Sequence, residues 1–483
     1  MFREIKKQYQ NIPVQIKASL WFLICSFLQK GISILSTPIF TRLLTTAEYG
    51  QYNVFNSWLG ILSIIITLQL SYGVFAQGLV KFEEDRNIFC SSLQGLSTVL
   101  VLIWTIIYFL SHKFWNDLLS LTTVQMLSML IMIWTTAVFG FWSAEQRVEF
   151  KYRALVLVTL LASLAKPLVS VLFVILAEDK VTARILGLVL VELVCYTGLF
   201  VSQVKRGKKL YSGKYWKYAL AFNIPLIPHY LSQVVLSNSD RIMISGMVGN
   251  GEAGIYSLAY SLSSIMQLFN TALMQTLTPW IYQKIKAGRI QDIDPIAHAT
   301  LMIIALVNLI LILLAPEAVA FFAPKTYREA IYIIPPVAMS VFFMYMYDLF
   351  AKFAFYYEKT HMIMMASVVG AVLNVVLNYM FINLFGYQAA GYTTLACYMV
   401  YAFAHYLIMN KVCGSCCGGI RPYDVRRILV ITIPFLILGF AFLCTYDYPI
   451  IRYGMIVVTI FLSIICRRWI KTMISQIMEL RKK

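Results

Sequence analysis

The sequence predicts an all-α integral membrane protein with about 14 transmembrane helices, arranged as two parallel-repeat six-helix lobes followed by two further helices. The composition is the first observation, because 60% of the 483 residues are hydrophobic and only 13% are charged, against roughly 45–50% and about 25% in soluble domains. The second is a series of apolar blocks long enough to span a bilayer as helices. The third is an internal repeat of about 204 residues.

The apolar blocks are separated by brief polar connectors that are too short to form a soluble domain. Hydrocarbon about 30 Å thick requires about 20 helical residues, so each block of that length counts as one span. The first block lacks a small-residue cleavage site and is interpreted as a retained span. The predicted spans are 18–40, 51–77, 88–111, 119–143, 154–177, 182–204, 218–245, 255–280, 296–322, 331–357, 361–384, 387–409, 428–446 and 449–466.

The distribution of basic residues predicts the orientation. With the N-terminus inside, 29 of the 40 Lys and Arg residues fall in cytoplasmic segments and seven, among them Arg184, fall in outer loops. Basic residues are retained on the cytoplasmic side of a membrane. We therefore expect both termini to be cytoplasmic. The net charge of +18 is attributed to the basic residues on the cytoplasmic side, where they contact anionic lipid. Nucleic acid is not expected as a partner.

An internal repeat divides the chain. The segment "EYGQY" at 48–52 and the segment "EAGIY" at 252–256 share Glu, Gly and Tyr at an offset of 204, and the predicted spans follow the same offset. An offset that covers six spans preserves the direction of insertion, so the halves are predicted to be parallel repeats. We expect lobes at 1–205 and 206–410, followed by two helices and a basic tail at 411–483. Two such lobes are typical of alternating-access transporters.

Charged residues inside the spans are candidate site residues, because charge in a bilayer is costly and usually faces a protein interior or a watery cavity. Lys30 and Lys166 lie deep, with Glu192 as the acidic residue of the same lobe, so this lobe is expected to bind an anion. Asp240 is expected to neutralise and orient Arg241, and Asp348 and Lys352 are expected to pair at i,i+4. Arg241 and Lys352 are also close enough to an interface to reach it by themselves.

Other polar residues have two interpretations. His229 is either a proton site or a hydrogen-bonded helical histidine. Pro225 and Pro228 favour a bend in the seventh span.

Cys413, Cys416 and Cys417 form the one cysteine cluster, but no second Cys or His pair lies at ligand spacing. We predict no metal site and a reduced cytosolic loop there.

Two segments carry a family resemblance. "STPIFTRLLTTAEYGQYNVFNSWLGIL" at 36–62 and "NSDRIMISGMVGNGEAGIYSLAYSLSSI" at 238–265 resemble the paired signatures of bacterial polysaccharide flippases. These are the Wzx-type oligosaccharide-lipid transporters of the multidrug/oligosaccharidyl-lipid/polysaccharide (MOP) superfamily. The resemblance implies that undecaprenyl-pyrophosphate-linked sugar repeat units pass from the cytoplasmic to the outer leaflet, held in a cationic cavity and coupled to a proton or sodium gradient.

The resemblance and the charge pattern together give three groups of candidate residues. Four basic residues are predicted to bind the anionic headgroup: Lys30, Lys166, Arg241 and Lys352. Six are predicted to act in gating or ion coupling: Asp240, Glu192, His229, Asp348, Glu48 and Arg42. Five are predicted to contact sugar hydroxyls: Ser33, Gln233, Ser237, Asn374 and Asn378. No cofactor is expected.

Alternative functions remain open from the sequence. A multidrug cation antiporter of the same superfamily would need an acidic lobe, and a peptidoglycan-precursor flippase differs only in its substrate. A membrane glycosyltransferase or polysaccharide polymerase would need a catalytic constellation, and the loops offer only the short "DID" at 292–294. We therefore predict a transporter and not an enzyme. Its expected partners are lipid-linked oligosaccharide and membrane lipid, together with polysaccharide polymerase and chain-length proteins.

Overall fold

The computed structural model describes residues 13–465, and within that range the chain forms α-helices and short 3-10 helices but no strand. The basic segments 1–12 and 466–483, which support the orientation prediction, lie outside the described residues. The helices divide into two compact units, and the boundary between them in the chain falls between Asn238 and Ser239.

The first half of the chain contains eight helices, two of them short. They are α1 (Val14–Leu43), α2 (Thr46–Thr67), α3 (Val74–Lys81), α4 (Arg86–Leu110), α5 (His112–Leu119), α6 (Thr123–Val148), α7 (Tyr152–Leu176) and α8 (Lys180–Gly207).

The second half begins differently, repeats from α13 to α17 the order of long and short helices seen from α4 to α8, and then adds two helices. They are α9 (Gly213–Asn223), α10 (Ile227–Met247), α11 (Asn250–Ser263), α12 (Ile265–Lys286), α13 (Ile293–Leu313), α14 (Ala315–Phe322), α15 (Ala330–Tyr356), α16 (Thr360–Phe385), α17 (Ala389–Cys416), α18 (Val425–Leu443) and α19 (Pro449–Ile465). The short α5 and α14 occupy equivalent places, which supports the predicted repeat. The lobe boundaries themselves stay a prediction.

The predicted all-helical membrane fold is confirmed. Ten segments of the described chain are long and apolar enough to cross a membrane. The other four predicted spans, 51–77, 255–280, 387–409 and 449–466, are also helical over most of their length. The protein is therefore a multi-pass membrane protein.

Several predicted spans are interrupted in the structure. The span 51–77 breaks after α2, where Leu68 and Gln69 have left-handed φ values of 51° and 52°, and Asn223 Nδ2 donates to the Leu68 carbonyl at 2.8 Å. The span 218–245 breaks at a 3-10 turn, Ile224–Leu226, where Pro225 lacks the N–H of a regular helix. The predicted bend in this span stays a prediction, while the continuous helix predicted over 51–77 is wrong.

In the first unit, α8 packs against α4, α6 and α7, and α1 packs against α7. The core lies between α2, α4, α6 and α8 and contains Phe55, Tyr108, Ile133 and Ile185. Close approach of α7 and α8 requires Gly187, because a Cβ there would lie 2.7 Å from the Ser170 Cα. This contact sets the distance between the polar residues that the two helices carry.

The connector after α8 is fixed to the first unit. Ser91 Oγ donates to the Lys209 carbonyl at 2.7 Å, and Trp216 Nε1 donates to the Ser92 carbonyl at 2.9 Å. At the end of α8, a Cβ on Gly207 would lie 2.1 Å from the Asn87 carbonyl oxygen. The absence of a side chain at Gly207 therefore allows α4 and α8 to meet there.

In the second unit, α15 is the central helix, packed by α11, α13, α17 and α18. The two added helices are held to this unit by polar contacts as well as by apolar packing. Tyr446 donates its hydroxyl hydrogen to the Ile312 carbonyl at 2.5 Å, and Arg452 pairs with Glu317. Both α18 and α19 are thus part of the second unit.

We expect Gly207→Ala to destabilise the protein by about 1–3 kcal/mol, because the new methyl overlaps a backbone oxygen that cannot move aside cheaply. Gly198→Ala on the same helix is the matched control. Gly198 is exposed, and a methyl group added there would have open space around it to 4 Å among the described residues. Alanine at this position should therefore be neutral or stabilising by up to about 1 kcal/mol. Thermal unfolding in detergent, followed by tryptophan fluorescence, measures both, and equal midpoints would contradict the packing argument.

Candidate functional site

A polar cavity lies within the first unit. Its volume is about 280 Å³, and helices α1, α2, α6, α7 and α8 form its walls. Among its lining residues are Gln29, Ser33, Ser36, Tyr52, Asn56, Ser163, Lys166, Arg184 and Glu192. Amide, hydroxyl and charged groups thus converge inside a membrane-spanning unit, where such groups usually serve a substrate or ion pathway.

An ion pair forms one side of the cavity. Lys166 Nζ lies 2.7 Å from Glu192 Oε1, and Thr135 Oγ1 donates to Glu192 Oε2 at 2.5 Å. The Glu192 side chain is 3% exposed, while that of Lys166 is 28% exposed. Both residues line the cavity, and the ammonium group is the more exposed partner of the pair.

Arg184 forms another part of the wall. Its guanidinium carbon lies 3.7 Å from the centre of the Phe40 ring and 3.4 Å from that of Tyr52, and the residue is 9% exposed. Stacking of an arginine on aromatic faces is favourable and restricts its rotation. The cation is therefore held in a fixed orientation.

Sequence reasoning missed Arg184, because it counted this residue in an outer loop. The predicted span 182–204 already contained Arg184, and in the structure α8 begins at Lys180, so the residue lies inside the helix. A signal was present: Arg184, Leu188 and Glu192 follow at intervals of four residues, so they share one helical face. All three line the cavity.

The candidate residues predicted on α1, Lys30 and Ser33, are only partly in the cavity. Gln29 and Ser33 line it, whereas Lys30 is exposed and does not. Adjacent residues of a helix point about 100° apart, which explains why Lys30 is turned away while Gln29 is not. Of the predicted headgroup residues, the cavity therefore contains Lys166, while Arg184 supplies a second cation that the sequence did not reveal.

The two gating candidates near the first motif have local roles. Glu48 closes a capping box at the start of α2, where its carboxylate accepts from the Thr45 backbone N–H at 2.7 Å. Arg42 Nη1 donates to the Pro38 carbonyl at 2.8 Å. Both side chains therefore form hydrogen bonds with backbone groups at helix ends, which gives each of them a structural role.

Asp240, in the second unit, is held by a buried hydrogen-bond network. Its carboxylate accepts from Tyr256 at 2.5 Å, from Asn378 at 2.5 Å and from Thr394 at 2.9 Å. These three neutral donors lie on α11, α16 and α17. Asp240 therefore connects four helices, and the predicted neutralisation of Arg241 stays a prediction.

The neighbours of Asp240 have contacts of their own. The Arg241 guanidinium carbon lies 4.4 Å from the centre of the Tyr260 ring. Asn374 and Asn378, predicted to contact sugar, are fully buried, and Asn374 Oδ1 accepts from Ser239 at 2.9 Å. In this structure the two asparagines bind the network around Asp240 and do not reach an open surface.

The remaining candidates are not lining residues of the cavity. Lys352 Nζ pairs with Asp348 at 2.6 Å, which confirms the predicted i,i+4 contact, and Lys352 is buried. Ser237 donates to the Gln233 carbonyl at 2.9 Å within α10. His229 is half-buried at the start of the same helix. None of these five residues lines the described cavity.

Two family models match the sequence. The model described as polysaccharide biosynthesis protein matches residues 16–285, more than half of the chain. The MatE model matches residues 225–380.

Two curated relatives from Haemophilus influenzae are similar over part of the chain. An "uncharacterized membrane protein" is 25% identical over 203 residues, which are 41% of this chain and 50% of the relative. "Lsg locus putative protein 1" is 24% identical over 205 residues, which are 41% of this chain and 51% of the relative. The chain thus spans about half the length of the curated relatives it matches.

Solved structures show the same fold. A structure titled "Lipid II flippase MurJ, inward closed conformation" has a TM-score of 0.69 at 15% identity and covers 93% of this chain and 99% of its own. An inward-facing multidrug resistance MATE family transporter of the MOP superfamily has a TM-score of 0.61 at 12% identity and covers 80% and 96%. With the family model covering more than half of the sequence, and with the motifs at 36–62 and 238–265 that predicted it, the chain belongs to the polysaccharide biosynthesis protein family.

Proposed function

We propose that this protein is a flippase that moves undecaprenyl-pyrophosphate-linked oligosaccharide repeat units from the cytoplasmic to the outer leaflet, for the synthesis of a surface polysaccharide such as O-antigen, capsule or exopolysaccharide. Membership of the polysaccharide biosynthesis protein family supports the substrate class. The observation that carries the proposal is the cavity with Arg184 fixed between two rings and the Lys166–Glu192 pair on the same helical wall.

The charge of the cavity fits a diphosphate. In a lipid-linked sugar both phosphates are esterified, so each carries one negative charge near neutral pH. Such charges cannot enter hydrocarbon without partners, and a planar guanidinium can bind a phosphate through two parallel hydrogen bonds. Arg184 places a guanidinium group in the wall of the cavity, and the ammonium group of Lys166 supplies a second positive charge.

The size of the cavity limits what it holds. Pockets for drug-sized ligands measure about 300–1,000 Å³, so a volume of about 280 Å³ suits a diphosphate and the nearest sugar. The rest of the repeat unit would extend beyond it, and the polyprenyl chain would remain in lipid. Amide and hydroxyl groups of Gln29, Ser33 and Asn56 are placed to contact sugar oxygens.

The energetics favour export of an anion from a negative cytosol. Moving one negative charge outward yields about 2.3 kcal/mol per 100 mV of membrane potential. We propose that the cavity opens alternately to the two sides of the inner membrane, with both termini cytoplasmic, and that a proton or sodium gradient contributes. Asp240 and Glu192, two buried carboxylates, are the candidates for the coupling ion.

We expect Arg184→Gln to weaken binding of a short-chain polyprenyl diphospho-N-acetylglucosamine by about 10- to 100-fold. Loss of a charge-assisted hydrogen bond to a desolvated phosphate removes about 1.5–3 kcal/mol. Arg184→Lys should have an intermediate affinity, since lysine retains the positive charge but lacks the two parallel N–H donors of the guanidinium group. Calorimetric titration of the purified full chain measures the Kd.

Lys205→Gln is the matched control for this experiment, because Lys205 is an exposed basic residue of the same helix outside the cavity. Its Kd should equal that of the unmodified protein. If Arg184→Gln binds the ligand as tightly as this control, the cavity is not the headgroup site.

A second prediction separates this proposal from a multidrug cation antiporter. In proteoliposomes, an excess of the polyprenyl diphosphosugar should inhibit flipping of a fluorescent lipid-linked oligosaccharide, whereas a lipophilic cationic dye should not. The two cations of the cavity repel such a dye. Active export of the dye, unaffected by the diphosphosugar, would favour the antiporter.

A further inference from the structure

The charges of the cavity do not balance when a headgroup is bound. Arg184 and Lys166 supply two positive charges, and a diphosphate esterified at both ends carries two negative charges. Glu192 adds a third negative charge at the same place, because it lies 2.7 Å from the ammonium group of Lys166. Two anions that share one cation at a buried position favour protonation of one of them.

Glu192 is the group that can take this proton. Its side chain is 3% exposed, so solvent cannot screen it from a bound phosphate. A diphosphoester stays ionised near neutral pH, whereas a carboxylate gains a proton when a second anion approaches. The unit also offers a neutral partner for the acid, since Thr135 Oγ1 already lies 2.5 Å from Oε2.

The other groups around Glu192 do not replace it as proton acceptor. Helix α8 itself presents Arg184, Cys195 and Tyr196, α7 presents Lys166, and α2 presents Tyr52. Arginine, lysine and tyrosine are already protonated at neutral pH, and a neutral thiol accepts no proton. From the packed helices α4 and α6, the sequence between Cys90 and Tyr108 and between Thr123 and Ala144 contains no titratable side chain.

We propose that Glu192 takes up one proton when the diphosphate headgroup binds, so that Lys166 exchanges its carboxylate partner for a phosphate oxygen. The proton comes from solvent and adds to Oε1, the oxygen that Lys166 releases. No covalent bond to the headgroup forms or breaks. This inference rests on the proposed function, since it requires a diphosphate in the cavity.

This exchange of partners by Lys166 couples headgroup binding to proton binding, because each ligand increases the affinity of the protein for the other. Binding is then strongest at low pH, where Glu192 is already protonated. It weakens as pH rises, by up to tenfold per pH unit in the range where the free protein has lost that proton and the complex retains it.

The experiment is calorimetric titration of the full chain in lipid nanodiscs with the polyprenyl diphospho-N-acetylglucosamine, between pH 6 and 8, in buffers of different ionisation enthalpy. The dependence of the heat on the buffer gives the number of protons taken up. We expect uptake approaching one proton. In Glu192→Gln, which mimics the protonated acid, we expect no uptake, an affinity at least tenfold higher at pH 8, and no dependence on pH.

Glu145→Gln is the matched control, because Glu145 is a fully buried carboxylate of the same unit that pairs with Arg206 at 2.9 Å outside the cavity. It should retain the proton uptake. Unmodified protein that binds the ligand with no uptake and a constant Kd would overturn this inference alone, and so would uptake that persists in Glu192→Gln. Failure of the unmodified protein to bind the ligand at any pH would overturn the proposed function as well. If Glu192→Gln does not fold, the proton uptake of the unmodified protein and the pH dependence of its Kd still test the inference.

Discussion

A charge in the middle of a membrane-spanning helix needs a partner, and the contact between Lys166 and Glu192 meets this need in the first unit. Neither residue is tolerable alone at that depth, since an isolated charge in the bilayer is costly. The pair requires α7 and α8 to lie close together, and Gly187 permits that approach. Arg184 lies on the same face of α8 as Glu192, so the approach of α7 brings Lys166 to the wall that carries both residues.

The two units satisfy their buried carboxylates in different ways. Glu192 has a cationic partner that faces a cavity, whereas Asp240 is held by the neutral donors Tyr256, Asn378 and Thr394 on three other helices. A carboxylate with several neutral hydrogen bonds connects helices and specifies their packing. A carboxylate whose partner can be taken by a ligand is suited to exchange. The electrostatic work of the proposed function is therefore concentrated in the first unit.

The sequence predicted the helices well because periodicity and span length are local properties. The helix predicted at 88–111 was found as Arg86–Leu110. The break after Thr67 escaped prediction, since the apolar run continues through Leu68 and Leu70, and the left-handed turn there depends on a contact with Asn223.

The site was less predictable, because the depth of a residue in the membrane does not determine the direction of its side chain. Lys166 and Glu192 were recognised as charges in apolar surroundings, and they meet. Lys30 had the same appearance but points away from the cavity. Asn374 was equally ambiguous, since a polar residue in mid-helix can face a cavity or a neighbouring helix, and only the packing around Asp240 decides. Depth therefore identified charged residues, and tertiary structure assigned their partners.

The two cations of the cavity are chemically suited to different tasks. Arg184 is clamped between Phe40 and Tyr52, so it loses little conformational entropy when it binds a phosphate and remains charged at every physiological pH. Lys166 has a flexible stem and a compact ammonium group that can turn from one oxygen to another. A rigid cation fixes the position of a headgroup, and a mobile one can change partners as the headgroup enters and leaves. Exchange of the two residues would therefore retain the net charge of the cavity while removing this division of roles.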